Sequence, residues 1–165
     1  MPIRKEEIWQ SVRPYVNTAI QYFVQPSGRW THSANQAIGT AAWTLVNFDT
    51  TTWDPYTIKS TATNYVVTTP GVYVVGASLR WAAHATGYRG IAIYRNGAIL
   101  AENTQLSIGA GADTEMTITA LWRNDGSSTF QVYGYQNSGG NMNIVSTTAG
   151  SITYNPVLWV MRVSL

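Results

Sequence analysis

Residues 70–81 (PGVYVVGASLRW) contain the feature that most constrains the fold, a long stretch of alternating residue character. From Tyr73 to Trp81 every second residue is apolar, whereas Ser78 and Arg80 fall between these positions. A period of two is typical of a β-strand with one face in a core and the other in a wetter setting. Ten residues of extended chain span about 33 Å, which exceeds the usual strand length. Such a strand predicts a large all-β sandwich around it.

The composition supports this prediction and adds a second one. Charged residues make up 11% of the 165 residues, well below the roughly 25% of soluble globular proteins. Aromatic residues reach 12%, and the many Thr, Val, Tyr and Trp residues favour strands. We expect much of the surface to be covered by neighbouring subunits rather than by water.

The sequence disfavours several classes of partner. The ten Lys and Arg residues are scattered apart from Arg4 and Lys5, so they form no basic stripe for nucleic acid. The absence of cysteine excludes disulfides and thiolate metal sites, and nothing else predicts a cofactor. No run approaches the roughly 18 apolar residues of a membrane span, and residues 1–7 lack the apolar region of a secretory signal. We expect a protein made in the cytosol that binds no nucleic acid and does not insert into membranes.

Residues 1–28 differ from the rest of the chain. Apolar residues recur at helical spacing over residues 4–24, while Pro14 predicts either a helix that starts near it or a kinked helix. The sequence at 25–28 (QPSG) then ends the helix. We expect this segment to be an anchor or stalk, or else a helix folded over the open end of its own domain. The predicted anchor residues are Ile8, Trp9, Val12, Val16 and Phe23.

Residues 29–165 are predicted to form one jelly-roll domain. Asn96 and Gly97 lie between two apolar stretches and favour a type I′ hairpin turn. Residues 157–161 (VLWVM) do not alternate, which indicates a central strand buried on both faces. The predicted strands are 43–48, 64–69, 72–81, 89–95, 98–103, 115–123, 129–136, 142–147 and 157–164.

The order of these segments resembles the globular domain of complement C1q, which is related to the tumour necrosis factor fold. Residues 70–75 (PGVYVV) are similar to that family's P-G-x-Y-x-F strand, and residues 93–97 (IYRNG) to its L-x-R-N-G hairpin. Residues 48–49 (FD) with 53–55 (WDP) resemble its early strands, and residues 157–163 its last strand.

The resemblance covers about residues 43–165 and implies a ten-stranded jelly roll that assembles as a tight trimer. Residues 154–159 (YNPVLW) replace the family's usual closing aromatic-Ser-Gly-Phe element, and no collagen-like stalk precedes the domain. The arrangement is also similar to trimeric bacteriophage decoration proteins and fibre heads.

No constellation of residues predicts catalysis. His32 and His84 are the only histidines, and neither has a carboxylate at motif spacing. Asp49 and Asp54 lie in a Thr-rich segment, where such side chains commonly accept loop hydrogen bonds. A glycosidase would need two carboxylates about 5–9 Å apart across a cleft. We therefore expect a protein that is not an enzyme.

The aromatic residues are the main candidates for binding. Trp81, Trp122 and Trp159 are in phase with apolar neighbours and are expected in the core. Tyr133 and Tyr135 alternate with Phe130 and Val132, so they should face away from it. The predicted trimer interface comprises Val72, Val74, Tyr133, Tyr135, Leu158 and Val160.

Two functional hypotheses follow from these observations. The first is a homotrimeric structural protein of a bacteriophage particle, which decorates or caps a capsid or tail through its N-terminal segment and binds other virion proteins. The alternative is a fibre tip that recognises a glycan or protein on the host cell surface. Loops 84–88, 104–113 and 137–141 are polar and rich in small residues, so they should face solvent or a host surface.

Overall fold

A computed structural model of the chain describes residues 25–149 and 152–164. All regular structure within these ranges is β-strand, as the sequence predicted. The predicted anchor residues Ile8, Trp9, Val12, Val16 and Phe23 lie outside the described residues. The strands are β1 (Ser27–Thr31), β2 (Gln36–Ile38), β3 (Thr44–Leu45), β4 (Thr50–Trp53), β5 (Tyr65–Val67), β6 (Gly71–Trp81), β7 (Tyr88–Arg95), β8 (Ala98–Leu106), β9 (Thr114–Asn124), β10 (Ser128–Gln136), β11 (Met142–Ile144), β12 (Thr147–Ala149), β13 (Ile152–Tyr154) and β14 (Val157–Ser164).

The strands form two main antiparallel sheets. The seven-stranded sheet has the order β2-β11-β6-β14-β1-β4, and β9 pairs with β6. The five-stranded sheet has the order β3-β10-β7-β8, and β5 pairs with β10. Strands β12 and β13 pair only with each other within the described part of the chain. The long strand predicted from the alternation is β6, which lies inside the larger sheet.

The core lies between the two sheets and contains large aromatic side chains. Trp30 and Tyr65 are fully buried, with ring centroids 4.6 Å apart. Trp81 is also fully buried, as predicted. Trp122 packs against the core only in part, and the guanidinium of Arg95 lies 3.5 Å from the centre of its ring. These contacts join the strands of both sheets into one hydrophobic core.

The Asn-Gly turn is confirmed. Asn96 and Gly97 have φ angles of 48° and 81°, the positive values that a type I′ turn requires. Arg95 pairs directly with Ala98 across the turn. This hairpin joins β7 to β8.

Strand β1 differs from the sequence prediction, which places the end of a helix at residues 25–28 and no strand before residue 43. The strand begins at Ser27 and pairs with β14 on one side and β4 on the other. Ser27 and Gly28 therefore belong to the jelly roll rather than to the N-terminal segment. Burial of Trp30 against Tyr65 explains why this short, Gly-containing stretch is extended.

Strand β14 is central, as predicted, but the core covers only one of its faces. Leu158 and Val160 are 0% and 1% exposed. Trp159 and Met161 alternate with them and point to the outer face of the seven-stranded sheet. The prediction that Trp159 lies in the core is therefore wrong. The prediction of burial on both faces is not met within the described residues, where Trp159 is half-buried and Met161 is exposed.

Candidate functional site

The outer face of the seven-stranded sheet carries a continuous apolar surface. Leu121 of β9, Val74 of β6 and Met161 of β14 are direct neighbours across the three strands. Leu121 is 68% exposed and Met161 49%. We call this surface the apolar face and define it by Val72, Val74, Leu121, Trp159, Met161 and Val163.

The indole of Trp159 lies directly over Gly76 of the neighbouring strand β6. Trp159 pairs with Gly76, and a Cβ atom added to Gly76 would come within 2.2 Å of the indole ring. Only glycine leaves room for the ring at this position. The close approach fixes the indole beside the row of Leu121, Val74 and Met161.

The structure corrects part of the predicted trimer interface. Val72 and Val74 are half-buried and belong to the apolar face. Leu158 and Val160 instead fill the chain's own core, so their side chains cannot contact a second subunit. The physical reason is the alternation of β14, which turns Trp159 and Met161 outward in their place.

The outer face of the five-stranded sheet carries a second surface, built from aromatic rings. The rings of Tyr94 and Tyr133 have centroids 4.3 Å apart with an interplanar angle of 43°. The rings of Trp43 and Tyr135 have centroids 5.3 Å apart with an angle of 41°. We call these four residues the outer aromatic row.

Two small residues lie beneath the outer aromatic row. Gly90 pairs with Tyr135, and a Cβ atom added to it would lie 2.9 Å from Trp43 and 3.0 Å from Tyr135. Ala92 pairs with Tyr133 and is fully buried although it alternates with the core residues of β7. The side chains around Ala92 therefore cover it. The rings rest directly on the backbone of β7, so the scaffold restricts their positions.

Tyr133 and Tyr135 face away from the core, as predicted. They lie on the opposite side of the sandwich from Val72 and Val74, and their place in a trimer interface stays a prediction. Trp43 and Tyr94 were not singled out as partners of these tyrosines. Alternation of Tyr94 with the core residue Ile93 would have placed it outside the core, but only the strand pairing shows that its ring meets Tyr133.

Asp49 lies near a histidine and a serine without forming a catalytic triad. Its carboxylate accepts hydrogen bonds from the Ser33 N–H (2.9 Å) and hydroxyl (2.8 Å) and from the Thr50 hydroxyl (3.0 Å). Nδ1 of His32 lies 3.5 Å from the same carboxylate. In a catalytic triad the hydroxyl is hydrogen-bonded to one ring nitrogen of the histidine, and the carboxylate is bonded to the other. Here the Ser33 hydroxyl bonds directly to the Asp49 carboxylate.

The pKa of Asp49 also agrees with a structural rather than a catalytic role. Desolvation by partial burial acts to raise this pKa, but the hydrogen bonds from Ser33 and Thr50, together with nearby His32, lower it to about 2. The carboxylate therefore stays ionised across the ordinary pH range and holds its loop in place. A proton acceptor for catalysis needs a pKa much nearer to neutral.

The other carboxylates that the sequence analysis considered also have structural partners. Asp54 accepts hydrogen bonds from the N–H groups of Ile58 (2.8 Å) and Lys59 (2.9 Å). Asp113 accepts one from Nε of Arg80 at 2.8 Å. In the described part of the chain no group of three or more His, Asp or Glu side chains is placed to hold a metal ion.

Arg89 is a fully buried cation. Its guanidinium donates hydrogen bonds to the carbonyl oxygens of Tyr88 (2.9 Å) and Thr86 (3.2 Å). Burial lowers the pKa of Arg89, because removal from water disfavours the charged form. Both hydrogen bonds are to nearby backbone, so the side chain fastens the start of β7.

No helix within the described residues is both long and apolar enough to cross a membrane. No protein-family model matches the chain, and no curated protein matches it.

Solved structures do resemble the chain. A crystal structure of murine APRIL at pH 5.0 superposes with a TM-score of 0.63 at 11% identity, covering 85% of this chain and 100% of that one. The structure of the Eiger TNF from S. frugiperda gives 0.58 at 12% identity, covering 84% and 92% of the two chains. Murine APRIL at pH 8.0 gives 0.62 at 8% identity, covering 85% and 100%.

These likenesses define the class of fold. The chain has a jelly-roll fold of the tumour necrosis factor type, which confirms the fold resemblance noted in the sequence. At such low identities the likeness shows the fold alone.

Proposed function

We propose that the chain is a non-catalytic structural protein that assembles into a homotrimer through the apolar face. The observation that carries this proposal is the exposure of Leu121, Met161 and Val163, which are 68%, 49% and 43% exposed. Contiguous apolar surface on a soluble chain is costly to leave in water. Such patches mark interaction sites.

The partner is most simply a second copy of the chain. The low charge content of 11% predicts surface that is covered by other subunits. The apolar face lies on three adjacent antiparallel strands of the larger sheet, β9, β6 and β14. A threefold ring uses one patch of each subunit against a different patch of the next. The family resemblance in the sequence supports this arrangement.

We further propose that the trimer is part of a bacteriophage particle and attaches to it through residues 1–28. The support is the combination of a cysteine-free chain with the similarity of its sequence organisation to trimeric bacteriophage decoration proteins. Capping by a rigid trimer would add contacts between capsid or tail subunits. Any ligand that binds only the assembled state stabilises that state.

Charge substitution on the apolar face tests the assembly. We expect Leu121→Glu and Met161→Glu to shift the full chain from a trimer to a monomer in sedimentation velocity at micromolar concentration, because each buries a carboxylate in an apolar contact. Ile99→Glu is the matched control, since Ile99 is an apolar side chain that is 52% exposed but lies on β8 of the five-stranded sheet.

A monomeric mass for the unaltered chain would overturn the proposal. A trimer that survives both substitutions would show that another surface holds it together. Circular dichroism distinguishes lost assembly from lost folding, because a monomer that retains its β spectrum has lost only the interface.

A further inference from the structure

We propose that the outer aromatic row binds an uncharged oligosaccharide. The row consists of Trp43, Tyr94, Tyr133 and Tyr135, and it lies on the opposite side of the sandwich from the apolar face. This inference goes beyond the proposed function, because it assigns a ligand to a surface that assembly through the apolar face leaves open.

The ring geometry fits a flat, extended ligand. Tyr133 and Tyr135 are two residues apart on β10, so their Cα atoms are about 6.7 Å apart along the strand. The Tyr133 ring contacts that of Tyr94 on β7, and the Tyr135 ring contacts that of Trp43, the residue just before β3. The two ring pairs lie next to each other along β10 on the outer face of the sheet. The C–H faces of a sugar ring carry slight positive charge and pack on the negative face of an aromatic ring.

The tyrosines of the row also offer open hydroxyl groups. The core tyrosines are satisfied: Tyr65 donates to Phe48 and Ala62 carbonyls, and Tyr73 to the Thr69 carbonyl. The hydroxyls of Tyr94, Tyr133 and Tyr135 have no such partner among the residues that the structure describes. A phenol can donate and accept, so these three groups can bond to the hydroxyls of a sugar.

The charge of this surface selects an uncharged ligand. Among the residues that point outward on β3, β7, β8 and β10, Glu102 is the only charged one. It lies in the same cross-strand row as Ala92 and Tyr133. Its carboxylate can accept hydrogen bonds from sugar hydroxyls, and it repels an acidic sugar. No outward-pointing Lys or Arg on these strands compensates for that repulsion.

The surface is organised before any ligand binds. The absence of a Cβ at Gly90 lets Trp43 and Tyr135 lie against the backbone of β7. Gln131, which borders the row on β10, is held by a 2.7 Å hydrogen bond from its side-chain nitrogen to Asn64. Binding of a ligand therefore costs little conformational entropy in the side chains of this face, which favours a higher affinity.

The test is a glycan array probed with the full chain, followed by calorimetric titration of the tightest uncharged oligosaccharide. We expect binding to uncharged rather than sialylated or sulfated glycans. Trp43→Ala and Tyr133→Ala should weaken the affinity by about tenfold or more. Tyr135→Phe keeps the ring and removes one hydroxyl, so it should weaken binding less. Tyr88→Ala is the matched control, because Tyr88 is an exposed tyrosine of the same sheet outside the row.

The outcomes separate this proposal from the previous one. Sedimentation reports assembly, whereas titration with a single soluble oligosaccharide reports the outer aromatic row, and Leu121→Glu should affect only the first. The proposal is overturned if no uncharged glycan binds, if only acidic glycans bind, or if Trp43→Ala, Tyr133→Ala and Tyr135→Phe all bind like the unaltered chain. The proposal is also overturned if the chain still binds a cell-surface protein after glycosidase treatment has removed the glycans, because the outer aromatic row would then recognise protein.

Discussion

Asp49 shows at the scale of one residue how a single carboxylate organises a loop. It accepts hydrogen bonds from Ser33 and Thr50, and these lower its pKa to about 2 despite the opposing effect of desolvation. Because the folded-state pKa lies below the unfolded value of about 3.9, the ionised group stabilises the fold above that value. The stabilisation is lost as the pH falls from about 4 toward 2.

We expect Asp49→Ala to lower the free energy of unfolding at pH 7 by about 1 kcal/mol and by much less near pH 2. The measurement is urea unfolding at several pH values between these limits. Asp125→Ala is the control, since Asp125 is exposed and accepts no hydrogen bond within the described residues. A loss that is the same at both pH values would contradict the role assigned to the Asp49 carboxylate.

The residues also show what sequence patterns can and cannot locate. Alternation on β6 placed Val74 on an outward face, and alternation on β10 did the same for Tyr133. Leu158 and Val160 were misplaced because a run of apolar residues does not reveal which of them point inward. That Trp43 would meet Tyr135 depends on contacts between segments far apart in sequence, which no local pattern contains.

At the scale of elements, β6 and β14 are joined by an unusually close contact. The indole of Trp159 lies where a side chain on Gly76 would stand. Any substitution there must displace the ring or bend the strand. Sequence alternation predicted β6 well, but it gave no sign that Gly76 supports an aromatic ring.

We expect Gly76→Ala to lower the free energy of unfolding by about 1–3 kcal/mol, the range for overpacking, and to weaken the trimer. Thermal unfolding and sedimentation measure the two effects. Gly39→Ala is the matched control, because an added Cβ there meets nothing within 4 Å. Equal stability of the two variants would contradict the packing described for Trp159.

At the scale of the whole molecule, the first described strand, β1, begins at Ser27, and the described hydrophobic core is built from residues from Trp30 onward. A chain that lacks residues 1–24 should therefore fold and remain a trimer. If the N-terminal segment anchors the protein to a phage particle, the shortened chain should no longer be incorporated into particles. Quantitative mass spectrometry of particles assembled with the full or shortened chain measures incorporation. Unchanged copy number after the deletion would rule out the anchor.

The placement of the two surfaces on opposite sides of the sandwich has a consequence for binding strength. A trimer built on the apolar face carries three outer aromatic rows on one rigid body. A ligand repeated along a polysaccharide could then engage several rows at once, and each further contact would occur at a high effective concentration. Avidity would therefore turn three individually weak sugar contacts into durable attachment.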